Sequence, residues 1–255
     1  MLRESGASDA LLEKPRRETV GLAPVEVLQP SVEQRDHWES ALGERPDRYG
    51  VEPSEPARAT LEVLRGVHAH DLLELGSGQG RDAIFLAQAG LLVTAIDFAP
   101  VAVATIAGKA RVAGMAERVS SVECDVRQRL PFADRSFDAC YSHMLFCMAL
   151  SESQLHALAA EVWRVLRPGG LCVYTARTTA DPDYGLGTSL GGDLYELDGF
   201  VVHFFARDLV DRIAAGSAPA SFELLDVQEF EEGNLPRRLI RVTMRRPAAG
   251  RRNEP

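Results

Sequence analysis

The sequence predicts an α/β fold: a mostly parallel seven-stranded sheet with helices on both faces and a C-terminal antiparallel hairpin. Two observations lead to this prediction. Between residues 71 and 176, short apolar segments alternate with longer segments of helical period, which is the pattern of parallel strands linked by helices. After residue 206 the alternation gives way to one helix and two strands joined by a turn. A chain of 255 residues with 45% hydrophobic residues is long enough to bury the core of such a domain.

The first two elements are helical. A polar helix that includes Trp38 and Leu42 begins near Val32, and a second helix begins at Ser54, because serine caps helix N-termini and Pro56 is tolerated in the first turn. The alternating units follow as strand 71–75, helix 81–89, strand 92–97, helix 100–113, strand 119–124, strand 137–142, helix 151–166 and strand 171–176. The last predicted elements are helix 206–215 and strands 222–229 and 239–244, with Glu232, Gly233 and Asn234 in the turn between these two strands.

The chain divides into one domain with two appendages. Residues 1–31 mix charges, proline and glycine with little apolar period and are expected to form a flexible N-terminal extension. The domain spans residues 32–246, and residues 247–255 are expected to be a disordered tail. Within the domain, residues 178–205 form a glycine-rich connection, and long connections in compact domains are usually functional or disordered.

Composition excludes several classes of function. No segment reaches the roughly 18 uninterrupted apolar residues of a membrane span, and the first thirty residues have no apolar signal core, so a cytoplasmic protein without membrane association is expected. The net charge of −9 argues against a nucleic acid as the main partner.

The cysteines are scattered through apolar segments and are expected to be buried, reduced thiols: Cys124, Cys140, Cys147 and Cys172. Nothing in the sequence fixes the oligomeric state.

A glycine-rich turn is the strongest chemical signal. The apolar segment that includes Glu74 ends at Gly76-Ser77-Gly78-Gln79-Gly80, and a helix begins directly afterwards. Glycines permit a tight turn and close approach of a ligand to the backbone, while the helix N-terminus offers free N–H groups. The turn therefore predicts a site for a polar or anionic group. By itself it is compatible with a dinucleotide, a nucleotide or only a sharp turn.

Acidic residues close the next two strands. Asp97 ends its strand seventeen residues after Gly80, where a carboxylate is placed to accept the hydroxyls of a ribose. Phe98 follows, and its side chain either lies against an adenine ring or packs against other apolar side chains of the protein. Asp125 follows the strand that ends at Cys124 and either accepts the adenine amino group or caps its own loop. A glycine turn combined with a ribose acid predicts an adenosine-type cofactor.

From about Tyr49 to Ala176 the chain resembles the class I S-adenosylmethionine-dependent methyltransferases, which have a Rossmann-like fold. The resemblance rests on LELGSGQGR at 73–81, VTAID at 93–97, CD at 124–125, LPFADRSFDACYSHML at 130–145 and LRPGG at 166–170. It implies S-adenosylmethionine as the cofactor. It also implies that Glu74 supports the glycine turn, that the glycines receive the amino-acid part of the cofactor, that Asp97 holds the ribose and that Asp125 binds adenine. The full set of cofactor-binding residues expected on this basis is Glu74, Gly76, Ser77, Gly78, Gly80, Asp97, Phe98, Asp125, Val126 and Ser142.

The resemblance also indicates where the methyl acceptor binds. His143 follows the fourth strand, beside the expected position of the methyl group, and serves either as a general base or as a hydrogen-bonded wall. Residues 178–205 are expected to form a lid over a small-molecule acceptor. The predicted acceptor contacts are Tyr49, Tyr184, Tyr195 and His203. No metal is predicted, although Asp181, Asp183 and Asp193 lie close together in the sequence.

Two other functions remain open. A nicotinamide-dependent oxidoreductase fits less well, because the turn reads Gly-x-Gly-x-Gly where that fingerprint has Gly-x-Gly-x-x-Gly. A non-catalytic regulator that binds S-adenosylmethionine is compatible with the same fold, because a fold does not determine a function.

Overall fold

The computed structural model describes residues 32–45, 47–217, 219–232 and 236–248. The predicted N-terminal extension, the tail from residue 249 onwards and the turn residues Gly233 and Asn234 lie outside the described residues.

A seven-stranded sheet forms the centre of the domain, in the spatial order β3-β2-β1-β4-β5-β10-β9. The first five strands in the chain run parallel to one another, and β10 is antiparallel to both of its neighbours. The predicted fold class is therefore confirmed. The strands are β1 Asp71–Leu75, β2 Leu92–Asp97, β3 Val119–Glu123, β4 Phe137–Ser142, β5 Leu166–Arg177, β9 Glu223–Glu231 and β10 Arg238–Arg245.

Helices cover both faces of the sheet. The helices are α1 Val32–Glu44, α2 Glu55–Gly66, α3 Arg81–Gln88, α4 Pro100–Val112, α5 Glu152–Val165 and α6 Arg207–Ala215. Of these, α1 packs outside the others, against α4 through Trp38 and Leu42. Leu64, Leu86 and Ile106 pack in the core on one face, whereas Leu158 and Ile213 pack in the core on the other. Helix α2 begins as predicted, with the Ser54 hydroxyl accepting the Ala57 N–H at 3.1 Å.

Strand β5 begins at Leu166, five residues earlier than predicted. Leu166 pairs with Phe137, and the two glycines of the LRPGG motif exchange backbone hydrogen bonds with Arg246 at 2.8 and 2.9 Å. A Cβ at Gly170 would lie 2.9 Å from the Asp138 carbonyl oxygen. Glycine is therefore needed there because the neighbouring backbone approaches closely, and the motif extends the strand where a turn was expected.

The connection predicted as a loop, 178–205, contains a separate antiparallel sheet of order β6-β7-β8. Its strands are β6 Thr188–Gly191, β7 Leu194–Leu197 and β8 Phe200–His203. The turns are Gly192-Asp193 and Asp198-Gly199, and Gly191, Gly192, Asp198 and Gly199 have positive φ, between 50° and 100°. Gly-Asp and Asp-Gly pairs favour two-residue hairpin turns, so the signal was present in the sequence and was overlooked.

Two other expectations concern burial and membranes. All four cysteines are buried, as predicted. In the described part of the chain, no helix is both long and apolar enough to cross a bilayer.

Candidate cofactor and acceptor site

A cavity of about 900 Å³ opens at the carboxyl ends of β1, β2 and β4. This is the edge where ligands bind in open parallel sheets. Helix α1 and the hairpin of β7 and β8 form the opposite wall. These two parts of the wall contact each other, since the ring centroids of His37 and Phe200 lie 4.0 Å apart and Gln34 donates a 2.6 Å hydrogen bond to the Gly199 carbonyl.

The three glycines of the turn serve different purposes. All have positive φ, at 64°, 52° and 79° for Gly76, Gly78 and Gly80. A Cβ at Gly78 would meet nothing within 4 Å, so this backbone is open to a ligand, and both Gly76 and Gly78 line the cavity. At Gly80 a Cβ would lie 2.7 Å from Ile106. Gly80 therefore allows α3 to pack against α4, and the structure does not place it in the cavity lining.

The Asp97 carboxylate ties the turn to the end of β2. One oxygen accepts the Gly78 N–H at 2.9 Å and the other accepts the Ala99 N–H at 3.0 Å. Burial raises the pKa of Asp97, and these backbone donors offset only part of that effect. Each oxygen keeps a further lone pair, and Asp97 lines the cavity, so it can also accept hydroxyls from a ligand.

Phe98, Asp125 and Val126 line the cavity beyond Asp97. Burial acts to raise the pKa of Asp125, but hydrogen bonds from Arg127 lower it below its usual value. The backbone N–H of Arg127 donates at 3.0 Å and its Nε at 2.8 Å. Asp125 therefore caps its loop, the alternative that the sequence left open, and faces the cavity as well.

Glu74 lies under the turn at the end of β1. It is 3% exposed, and its Oε2 has no hydrogen-bond partner among the described residues. Burial raises the pKa of Glu74 well above its usual value, and the nearby Asp82 and Asp97 carboxylates raise it further. Three acidic groups thus surround the turn, which suits a ligand that carries positive charge.

His143 lies at the other end of the cavity, after β4. Its Nδ1 is 2.8 Å from the Thr175 hydroxyl, and its Nε2 is 2.9 Å from Oε1 of Glu232. Glu232 follows β9 and lines the cavity. The sequence analysis had placed it only in the hairpin turn, because no motif connects residues 143 and 232.

Comparison with known proteins identifies the domain. Residues 72–170 match the family model described as "Methyltransferase domain". The matched segment runs from β1 into β5 and includes the glycine turn, and it is similar to methyltransferase domains.

Curated relatives match only part of this chain. It is 33% identical over 141 residues to 24-methylenesterol C-methyltransferase 2 of Oryza sativa subsp. japonica, a match that covers 55% of this chain and 37% of the relative. It is 30% identical over 117 residues to demethylmenaquinone methyltransferase of Tropheryma whipplei, covering 46% of this chain and 45% of the relative. The matches thus span less than half of either relative.

A solved structure agrees with the fold. The 1,6-didemethyltoxoflavin-N1-methyltransferase of Burkholderia thailandensis, with bound 1,6-didemethyltoxoflavin and S-adenosylhomocysteine, aligns with a TM-score of 0.67 at 19% identity. The alignment covers 89% of this chain and 93% of that one. An open glycine backbone surrounded by acidic groups fits the cationic methionyl part of S-adenosylmethionine, the cofactor that the sequence resemblance implies.

Two predicted cofactor contacts do not line the cavity: Gly80, as described above, and Ser142. Ser142 is fully buried, and its hydroxyl donates to the Leu75 carbonyl at 3.3 Å. Ser142 therefore bonds β4 to β1 and does not face the cavity.

The predicted acceptor contacts need a larger correction. Tyr49 lines the cavity, but Tyr184, Tyr195 and His203 do not. The Tyr184 hydroxyl donates to Asp193 at 2.7 Å, and the rings of Tyr184 and Tyr195 pack edge to face with centroids 5.5 Å apart. His203 Nδ1 bonds to the Leu150 carbonyl at 2.7 Å, and burial lowers its pKa.

The alternation of side chains along β8 explains the position of His203. Phe200 and Val202 face the cavity, so His203, one residue further, faces away from it. Trp38 of α1 also lines the cavity and lies 5.0 Å from the Phe200 ring. These apolar walls were missed because the hairpin was predicted as a loop.

Glu74→Gln is expected to stabilise the ligand-free protein at pH 8 and to have little effect near pH 5. The folded-state pKa of Glu74 is raised, so the folded protein favours the protonated form, and wild-type stability falls as the pH rises from the ordinary glutamate range through that pKa. Glutamine mimics the protonated form and cannot ionise, so the stability of the variant does not fall in this way as the pH rises. Urea denaturation at both pH values measures the difference, with Glu62→Gln on exposed α2 as the control. Destabilisation by Glu74→Gln at pH 8 would contradict the account.

Proposed function

We propose that this protein transfers a methyl group from S-adenosylmethionine to a small-molecule acceptor by in-line displacement. The observation that carries the proposal is a single cavity with the family's glycine turn at one end and the His143–Glu232 pair at the other. An acceptor held against His143 and Glu232 would face a cofactor held by the turn. Alignment of this kind supplies much of the acceleration of a displacement reaction.

The residues of the cofactor end have separate roles in this proposal. Bound S-adenosylmethionine supplies an activated methyl group on a positively charged sulfur. The backbone at Gly76 and Gly78 receives its amino-acid part, and Asp97 accepts the ribose hydroxyls. Phe98 and Val126 form apolar surface for the adenine, while Asp125 is available to accept its amino group.

The shape of the cavity supports a small acceptor. Helix α1 and strand β8 meet through the His37, Trp38 and Phe200 rings, which restricts entry. Tyr49 is fixed nearby, because its backbone N–H donates to Gln79 at 3.1 Å and its carbonyl accepts from Arg81. An enclosed site excludes water from the reacting groups, whereas a folded polymer would need a wider groove.

Methyl transfer can be tested directly. The purified protein is incubated with S-adenosylmethionine labelled in its methyl group and an extract of small metabolites. Release of S-adenosylhomocysteine and label in a small product support the proposal. Binding of S-adenosylhomocysteine without turnover would identify a non-catalytic binding protein. Consumption of a nicotinamide cofactor and not of S-adenosylmethionine would contradict the proposal.

Hydrogen exchange in residues 34–44 and 178–203 is expected to slow when S-adenosylhomocysteine binds, and to slow further when acceptor is added. These segments form the wall opposite the glycine turn, and ligand contacts favour their closed state. Exchange measured by mass spectrometry in the free, binary and ternary states tests this, with buried α5 as the internal reference. Equal exchange in all three states would show that these segments are not a lid.

A further inference from the structure

Thr175 determines which ring nitrogen of a neutral His143 carries the hydrogen. Thr175 lies on β5 and is fully buried. Its Oγ1 accepts the Met144 N–H at 3.0 Å and lies 2.8 Å from Nδ1 of His143, and these are its side-chain partners among the described residues. A hydroxyl has one hydrogen to donate, and Nδ1 is the acceptor within reach. A proton on Nδ1 would leave that buried hydrogen without an acceptor, which is costly.

It follows that the imidazole has no free lone pair. With Nδ1 accepting from Thr175, a neutral ring carries its hydrogen on Nε2, which donates to Oε1 of Glu232 at 2.9 Å. Both ring nitrogens are then occupied. Beside His143, the Glu232 carboxylate lines the cavity and keeps lone pairs for a ligand, and its Oε2 lies 4.0 Å from the Arg237 guanidinium.

We propose that Glu232, oriented by His143, accepts a hydrogen bond from the methyl acceptor, and that the acceptor atom is a nitrogen that carries an N–H. The inference rests on the proposed function and names its substrate class. Glu232 is then the catalytic residue. His143 is a positioning residue, and not the general base that was one of the two roles the sequence left open.

The state of Glu232 favours nitrogen over oxygen. The charged and titratable groups facing it are His143 after β4, Arg237 before β10 and Arg81 at the start of α3. Burial acts to raise the pKa of Glu232, but the hydrogen bond from His143 and the two guanidiniums lower it below its usual value. A carboxylate of low pKa is a poor base for a hydroxyl, which must lose its proton as it reacts. An amine attacks with its own lone pair and needs stabilisation of positive charge, which a fixed carboxylate provides.

The reaction step balances without another reagent. The nitrogen lone pair forms the N–C bond while the C–S bond breaks, and the electron pair of that bond stays on sulfur. The positive charge moves from sulfur to nitrogen, beside Glu232. The methylated nitrogen then releases its extra proton to water.

Nitrogen-15 spectra of the imidazoles test the positioning role without any acceptor. In labelled protein saturated with S-adenosylhomocysteine, the His143 signals are assigned by their loss in His143→Gln. In the neutral ring we expect an unprotonated Nδ1 and a protonated Nε2. Thr175→Val should remove this preference and give a mixture of tautomers. A protonated Nδ1 in the wild type would overturn the assignment.

The acceptor class is tested with three pools of small compounds: primary and secondary amines, phenols and alcohols, and thiols. Label from S-adenosylmethionine should enter the amine pool. Glu232→Gln should lower kcat/KM by about a hundredfold, and Glu232→Asp should restore part of the loss. Glu231→Gln is the matched control, since Glu231 pairs with Arg238 on the surface and should leave turnover unchanged.

The outcomes separate this inference from the proposed function. Glu232→Gln should bind S-adenosylhomocysteine as the wild type does. Failure of the wild type to bind S-adenosylhomocysteine would sink the proposed function itself. Normal binding with label only in hydroxyl or thiol compounds, or with no label in any amine, would overturn the nitrogen assignment alone.

Discussion

Replacing Asp97 by alanine is expected to weaken the binding of S-adenosylhomocysteine by at least tenfold. The substitution removes an ionised acceptor from the ribose hydroxyls, worth about 1.5 to 3 kcal/mol. It also removes the two backbone hydrogen bonds that hold Gly78 and Ala99, so the glycine turn loses its fixed position. Calorimetric titration of the wild type and the variant gives the two dissociation constants.

Asp134→Ala is the matched control for this substitution. Asp134 pairs with Arg164 on the surface at 2.8 Å and does not line the cavity, so its removal should leave the dissociation constant unchanged. Thermal unfolding of both variants checks that the domain remains folded. An unchanged constant for folded Asp97→Ala would show that the ribose does not lie at Asp97.

Replacing Arg177 by methionine is expected to lower the free energy of unfolding by about 3 to 5 kcal/mol. Arg177 ends β5, and its Nε donates to Asp181 at 3.1 Å, with both side chains almost completely buried. Burial acts to raise the pKa of Asp181, but bonds from Arg177 and from the backbone of Asp183 and Arg238 lower it. The variant leaves a buried carboxylate without its counter-ion. Urea denaturation at pH 7 measures the loss.

Two further variants make the Arg177 result specific. Arg207→Ala breaks an exposed pair with Asp211 on α6 and should cost less than about 1 kcal/mol. The double variant Arg177→Met with Asp181→Leu removes both charges and should recover most of the stability. A loss below about 1 kcal/mol in Arg177→Met would contradict the buried pair as the anchor of the segment that starts at residue 178.

Much of the fold was predictable because the local sequence signals match the elements that form. Most strands of the large sheet and their connecting helices could be recognised from apolar segments, glycine breaks and helix caps such as Ser54. The β6–β8 sheet was missed because its strands have four residues each and only part of each is buried, so hydrophobic alternation is weak there. Its turn dipeptides carried the signal, and composition alone suggested a loop.

The site was predictable only at the cofactor end. Glycines and acids at the ends of consecutive parallel strands meet at one edge of the sheet, so Gly78, Asp97 and Asp125 were placed together from their order along the chain. The acceptor end joins residues that are distant in sequence. Glu232 lies 89 residues from its partner His143. Whether His203 or Val202 faces the cavity depends on the register of β8. A shift of one residue would exchange the side chains that face the cavity with those that face away.

A crystal structure of the complex with S-adenosylhomocysteine would test the central claim most directly. The account predicts the ribose hydroxyls on the Asp97 carboxylate, the amino-acid part on the backbone of Gly76 and Gly78, and the sulfur directed towards Glu232 and His143. A ligand bound elsewhere, or bound in this cavity with its sulfur directed away from Glu232, would contradict it.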